Sequence, residues 1–133
     1  MRRTCVGGNL IREMTTLLDE ATIHAAVARH LHVRGVPGLV FWHTPNGGAR
    51  RPTEAAIFKS LGVLPGVSDL TLFYDRMFYA LEIKRDAKAK VTPAQRRFIE
   101  AVKQQGGKAE IGRGLDDCLH ILERWQLLRG HVA

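Results

Sequence analysis

Two carboxylates and a lysine near the middle of the chain have a spacing that could hold a divalent cation. Asp69 begins one predicted strand, and Glu82 and Lys84 lie on the next. If residues 75–76 form a two-residue turn, Asp69 lies directly opposite Glu82, and such pairs share one face of the sheet with Cβ atoms about 4.5–5.5 Å apart. Facing carboxylates repel each other unless a cation lies between them, and Mg²⁺ needs only one or two such ligands plus water. The hairpin therefore predicts a metal site, with Lys84 on the same face.

The hairpin also fits a solvated surface with incidental charges. An aspartate–arginine pair is not favoured in tight turns, and a three-residue loop would shift the register and make the acids diagonal neighbours. Glu20 is a third candidate acid, because it stands at helical spacing from Ile23, Val27 and Leu31 and shares their apolar stripe. It would then point towards the sheet. The alternative is a first-turn glutamate that stabilises the helix dipole.

Positive charge dominates the composition, with 20 Lys and Arg against 13 Asp and Glu and a net charge of +7. Such an excess favours a polyanionic partner, nucleic acid before an anionic membrane, although solubility alone would also account for it. Several cations flank the candidate acids in sequence, where contacts to phosphates would give a salt-sensitive affinity for DNA. The cations expected to contact DNA are Arg50, Arg51, Arg85, Lys88, Lys90 and Arg96.

Length and composition bound the class of protein. A chain of 133 residues with 45% hydrophobic and 25% charged residues is typical of one globular domain. Its apolar runs are too short for a membrane-spanning helix or a signal peptide. Cys5 and Cys118 lack metal-ligand spacing and are too few for a disulfide framework. Gly47-Gly48 has no Walker-type lysine. We therefore expect a cytoplasmic protein with no membrane partner and no nucleotide cofactor.

The pattern along the chain predicts the α/β class. Residues 1–13 show no clear period, so we expect a flexible extension before a single domain over residues 14–133, and Met14 is a second candidate start. The predicted order is helix, strand, short helix, strand, strand, helix, strand, helix, with a mixed sheet. The expected bounds are 17–34, 39–43, 53–61, 69–74, 77–84, 92–105, 108–112 and 115–128.

One helix start is marked by its own residues. Thr92 is the predicted N-cap, Pro93 occupies the first helical position and Gln95 is the capping-box partner. The aromatic residues Trp42 and Trp125 are expected in the core.

These motifs together resemble a known family. The segment Gly66-Val67-Ser68-Asp69, followed after a strand by Glu82-Ile83-Lys84, resembles the signature of PD-(D/E)XK nucleases, with serine where that signature has proline. With Glu20, the loop at 43–48 and Thr92-Pro93-Ala94-Gln95 in the same order, the pattern resembles a stand-alone VRR-NUC (virus-type replication-repair nuclease) domain over residues 20–122. The resemblance implies a restriction-endonuclease-like core, a mixed β-sheet flanked by helices.

The resemblance also implies the chemistry, which is Mg²⁺-dependent hydrolysis of a phosphodiester, with Mn²⁺ able to substitute. Asp69, Glu82 and the backbone carbonyl of Ile83 would hold the metal, which polarises the phosphate and lowers the pKa of a bound water. Lys84 would orient that water or offset charge on the phosphate. Glu20 would be a metal or water ligand.

Three further residues have roles implied by the resemblance. Gln95 matches the family's helix glutamine near the site, and this role is compatible with capping. His43 and Asn46 are expected to contact the substrate, although the same residues also fit a strand end and a turn.

The expected partner is DNA. By resemblance, single-domain members are homodimers that cut branched DNA such as Holliday junctions in replication, repair or recombination, in a bacterial or phage-infected cell. The last helix could provide the dimer face or simply cover the sheet. Two alternatives are a non-catalytic nucleic-acid-binding module and a nuclease that acts on linear or modified DNA.

Overall fold

The structure is a computed structural model that describes residues 6–45 and 52–130, with side-chain surroundings for residues 20–45 and 52–130. It confirms the predicted α/β class and order of elements. These are α1 (Val6–Arg34), β1 (Val40–His43), α2 (Pro52–Ser60), β2 (Leu70–Tyr74), β3 (Met77–Lys84), α3 (Pro93–Gln104), β4 (Lys108–Arg113) and α4 (Leu115–Arg124).

Helix α1 begins at Val6, before the predicted start at residue 17. The boundary between a flexible extension and the domain stays a prediction. Within the described part of the chain, no helix has the length and apolarity that crossing a membrane requires.

The four strands form one sheet in the order β1-β2-β3-β4, and β1, β2 and β3 pair antiparallel. The turn between β2 and β3 contains two residues, Asp75 and Arg76, with φ of 47° and 65°. Both lie in the left-handed region that a two-residue type I′ hairpin requires. Tyr74 therefore pairs with Met77, and the predicted hairpin register is confirmed.

The chain divides into two compact units. Of the described residues, the first unit contains 6–37, Ile83–Ala89 and 112–130, and the second contains 38–45, 52–82 and Lys90–Ile111. In the second unit α3 covers one sheet face, where Ala80, Ile99 and Ala109 are buried. Amphipathic spacing on α3 explains this packing, since apolar residues recur at intervals of one turn.

In the first unit α1 packs against α4. Their buried apolar side chains are Val27, Leu31, Cys118, Leu119, Ile121 and Leu122. These α4 residues are buried within the chain, as the packing of this helix against α1 requires, and a dimer face on α4 stays a prediction.

The two tryptophans differ in burial. Trp125 is buried as predicted, but the prediction for Trp42 is wrong, because this residue is 46% exposed. Trp42 lies on β1 at the sheet edge and pairs with Thr71. The exposed side chains of Val40 and Phe73 lie on the same sheet face. Val40, Trp42 and Phe73 are thus exposed at this edge of the face, whereas the part around Ala80 lies under α3.

Candidate active site

Glu82 is the buried acid of the candidate site. It lies on β3, and its residue is only 3% exposed. Strand alternation places it on the face of Phe78 and Ala80, the face that α3 covers. Its carboxylate oxygen Oε2 is shielded from solvent. Because burial of a carboxylate is costly without hydrogen bonds or a cation, this position is unfavourable for a residue with only a packing role.

Gln95 connects the start of α3 to Glu82. The Thr92 side chain accepts a hydrogen bond from the Gln95 backbone N–H at 3.1 Å, and Gln95 Oε1 accepts one from the Thr92 backbone N–H at 2.9 Å. The predicted capping box is therefore confirmed. With Oε1 occupied in this way, Gln95 Nε2 donates to Glu82 Oε1 at 3.0 Å. The capping box thus orients the amide so that its donor side faces the carboxylate.

Gly66 allows the loop before Asp69 to lie against the same helix start. Its φ is +82°, in the left-handed region, and an added Cβ would lie 2.7 Å from Gln95 N and closer still to the Ala94 carbonyl group. Only glycine fits both constraints. The Gly66-Val67-Ser68-Asp69 segment and the start of α3 are therefore held together by backbone contact as well as by Gln95.

Asp69 lies one residue before β2 and opposite the end of β1. Its carbonyl accepts hydrogen bonds from the Thr44 backbone N–H at 3.0 Å and from His43 Nδ1 at 2.7 Å. A carbonyl can only accept, so Nδ1 carries the proton in this bond. Since Leu70 pairs with Leu81, continuation of the register by one residue places Asp69 beside Glu82.

These donors fit a hard divalent cation only if water completes the coordination. Among the described residues, no group of three or more His, Cys, Asp and Glu side chains could hold a metal ion. Mg²⁺ keeps several waters and binds through one or two carboxylates, so Asp69 and Glu82 suit it. A site with four protein ligands, as in structural zinc sites, does not fit this donor set.

Lys84, at the end of β3, leads into an ordered turn that we call the cationic loop, residues 85–89. The Asp86 carboxylate accepts hydrogen bonds from the backbone N–H groups of Lys88 at 2.9 Å and Ala89 at 3.0 Å, and from Arg85 Nε at 3.0 Å. The Lys88 bond and the neighbouring charge of Arg85 lower the pKa of Asp86 despite the opposing effect of desolvation. Lys88 itself is exposed.

The remaining predicted residues are distributed over the chain. Glu20 lies on α1 and is exposed, although Val27 and Leu31 of its proposed stripe are buried. Its role stays a prediction. Lys90 and Arg96 are exposed, as DNA contacts would require. The predicted residues Asn46, Arg50 and Arg51 lie outside the described residues.

Arg113 was not predicted from the sequence. Its Nη1 donates to the carbonyls of Asp86 at 3.0 Å and Ala89 at 2.8 Å, inside the cationic loop. In the sequence, Arg113 is recognisable only as an arginine at the end of the fourth strand, directly before Gly114. Nothing in that segment identifies the carbonyls that accept its hydrogen bonds.

Comparison with known proteins supports the predicted resemblance. No family model matches the sequence, and no curated protein matches it. One solved structure, described as a VRR_NUC domain protein, is similar with a TM-score of 0.69 and 26% identity over 82% of this chain and 89% of its own. A second, described as a VRR_NUC domain, has a TM-score of 0.56 and 16% identity over 80% of this chain and 97% of its own. The fold is consistent with a VRR-NUC domain, and the first neighbour supports that assignment for this chain.

Proposed function

We propose that the protein is a metal-dependent nuclease that hydrolyses phosphodiester bonds in DNA. The observation that carries the proposal is the buried Glu82 carboxylate, oriented by Gln95 and adjacent in register to Asp69. The similarity of the chain to a VRR_NUC domain protein also supports a nuclease domain. The net charge of +7 favours a polyanionic substrate.

Asp69, Glu82 and the backbone carbonyl of Ile83 would hold Mg²⁺, or Mn²⁺ in its place. The bound metal would polarise the phosphate and provide a hydroxide-like nucleophile near neutral pH. Gln95 keeps the Glu82 carboxylate in one orientation, so this side chain would not need to reorient when it binds the cation. Lys84 would orient the attacking water or offset charge that develops on the phosphate.

The phosphate backbone would be bound by cations of the described chain. Lys88, Lys90 and Arg96 are exposed, and His43 has its ring held at the Asp69 carbonyl. Contacts of this kind do not depend on base sequence and weaken as salt rises. The substrate would therefore be selected by the shape of the DNA before its sequence.

A cleavage assay with matched variants tests this proposal. Wild type, Asp69→Ala, Glu82→Ala and Lys84→Ala are incubated with labelled four-way junction, flap, linear duplex and plasmid DNA in Mg²⁺, Mn²⁺ or EDTA. We expect cleavage by the wild type in either metal and loss of cleavage in all three variants, while DNA binding persists. Glu100→Ala is the control, because Glu100 is an exposed acid on α3 and its removal should leave cleavage unchanged.

If wild type cuts no DNA form in either metal, the nuclease proposal fails. Binding without cleavage would then support the non-catalytic nucleic-acid module. Cleavage of linear or modified DNA in preference to branched forms would replace the branched substrate with the second alternative.

We also propose branched DNA and a homodimer as the finer form of this function. Two symmetric nicks across a junction need two active sites, and the described part of the chain provides one candidate site. Light scattering at micromolar concentration should then give twice the mass of one chain, and junction products should carry paired nicks. A monomer on junction DNA would contradict paired cutting while leaving single nicking in place.

A further inference from the structure

The cationic loop is fixed by residues far away in sequence. Gly114 donates its backbone N–H to the carbonyl of Lys84 at 2.9 Å, and Arg113 Nη1 binds the carbonyls of Asp86 and Ala89. Two consecutive residues therefore hold three carbonyls in the segment 84–89. All of these residues belong to the first unit.

Asp86, which belongs to the loop, forms further hydrogen bonds within it. One carboxylate oxygen accepts the backbone N–H groups of Lys88 and Ala89, and the other accepts Arg85 Nε. The loop's N–H groups are thus bound by an anion and its carbonyls by a guanidinium. The side chain of Lys88 is left exposed, and that of Arg85 is 34% exposed.

Arg113 itself is held at its backbone. Its N–H donates to Asp117 Oδ2 at 2.8 Å, in the first turn of α4. A planar guanidinium with several donors suits adjacent carbonyls better than the flexible ammonium of lysine does. The guanidinium is thus attached to a fixed strand end, from which it can impose one conformation on the loop.

We propose that Asp86 and Arg113 are positioning residues that hold the cationic loop in the conformation that presents Lys88 and Arg85 to DNA phosphates. The proposal rests on the proposed function, which makes DNA the ligand. Neither residue need touch DNA. Each acts through the loop, since an ordered loop loses less conformational entropy on binding than a disordered one.

Because Asp86 is negatively charged, its removal distinguishes a positioning role from a simple effect of net charge on DNA affinity. If only net charge mattered, removal of this acid would strengthen DNA binding, because the chain would gain one positive charge. If Asp86 positions the loop, removal weakens binding despite that gain. The two explanations therefore predict opposite signs for one substitution.

The experiment measures binding of a labelled DNA duplex by fluorescence anisotropy in EDTA over a series of salt concentrations. Asp86→Ala is compared with Asp116→Ala, which removes an exposed acid of α4 and so changes net charge equally. We expect Asp86→Ala to bind about threefold to tenfold more weakly than wild type and to lose about one unit of the log–log salt slope, as for one lost phosphate contact. Asp116→Ala should bind as well as wild type or more tightly, with an unchanged slope.

A rescue variant and a second positioning variant complete the test. Asp86→Asn keeps an oxygen that can accept the two backbone N–H groups, so it should retain most of the affinity. Arg113→Gln should reproduce the weaker binding and lower salt slope, whereas Arg29→Gln, at an exposed position on α1, should lose less. Circular dichroism checks that each variant folds, and if Asp86→Ala does not, Arg113→Gln carries the comparison.

The failures are distinguishable. If the wild type binds DNA but Asp86→Ala binds at least as tightly as Asp116→Ala, the positioning proposal is overturned and the nuclease proposal is not. If the wild type neither binds nor cuts DNA, the proposed function fails, and positioning fails with it.

Discussion

Glu82 and the cationic loop lie close together in sequence but are stabilised by different kinds of interaction. Glu82 is buried on the sheet face that α3 covers, and its Oε1 accepts a hydrogen bond from Gln95, a neutral side chain fixed by the capping box. The cationic loop is partly exposed and is closed by Asp86 and Arg113, both charged. Salt screens the charged, exposed contacts of the loop much more than it screens contacts inside a buried site. The first region therefore suits a fixed ligand and the second a polyanion bound reversibly.

The largest expected effect is a loss of stability in the buried region around Glu82. Gly66→Ala puts a Cβ into the backbone of Ala94 and Gln95, so we expect a loss of more than about 3 kcal/mol in the free energy of unfolding. Gly62 also has a positive φ, +90°, but nothing lies within 4 Å of its added Cβ. Gly62→Ala should therefore cost only about 1 kcal/mol. Urea denaturation of the two variants checks this, and equal losses would contradict the close approach at Gly66.

A smaller effect tests the contact with Glu82 itself. Gln95→Glu keeps a capping-box acceptor but replaces the Nε2 donor with a second anion, so it should destabilise the metal-free protein by about 1–3 kcal/mol. Added Mg²⁺ or Mn²⁺ should raise the melting temperature of this variant more than that of wild type. Gln104→Glu, at an exposed position on α3, should change stability by less than about 0.5 kcal/mol and show no such response to metal. A metal-independent melting temperature in Gln95→Glu would argue against a cation at Glu82.

A third substitution tests the capping box without changing Gln95 or Glu82. Thr92→Ala deletes the acceptor for the Gln95 N–H and should cost about 1 kcal/mol of stability. Because Gln95 is then less fixed, the rate of DNA cleavage should also fall, by less than in Glu82→Ala. Thr92→Ser retains the hydroxyl and should behave like wild type in thermal melting and in cleavage. Full cleavage by Thr92→Ala would show that orientation of Gln95 does not matter.

The smallest expected effect separates the two regions by pH. The pKa of Asp86 is lowered in the folded protein, so its contribution to stability is present above the ordinary aspartate range and is lost as pH falls through the lowered value. Acidification should therefore shift the backbone amide resonances of Lys88 and Ala89 in NMR spectra. The amide resonance of Thr92, whose N–H donates to the neutral Oε1 of Gln95, should shift less over the same range. Equal shifts at Thr92 and in the loop would show that the whole fold, and not the loop, responds.

The candidate site was predictable where its contacts are local or periodic. The hairpin register followed from strand alternation and a two-residue turn, and the structure confirms it. Gln95 was predicted for capping from the residues of the helix start, and for the site from the family resemblance. Arg113 escaped prediction, since its acceptors lie 24 and 27 residues away and backbone carbonyls have no sequence signature. The expectation for Trp42 was wrong because hydrophobicity does not show whether another element covers an edge strand.

The sequence by itself determined the order of helices and strands and the excess of cations around the candidate acids, and it offered the register that puts Asp69 beside Glu82 as one of two possibilities. These features depend on side-chain period, turn length and charge, which can be read along the chain. Tertiary structure alone decided that Glu82 is buried against Gln95, that Gly66 must be glycine, and that a guanidinium from β4 holds the cationic loop. Each of these depends on which elements pack together, because burial and hydrogen-bond partners are set by segments that lie far apart in the sequence.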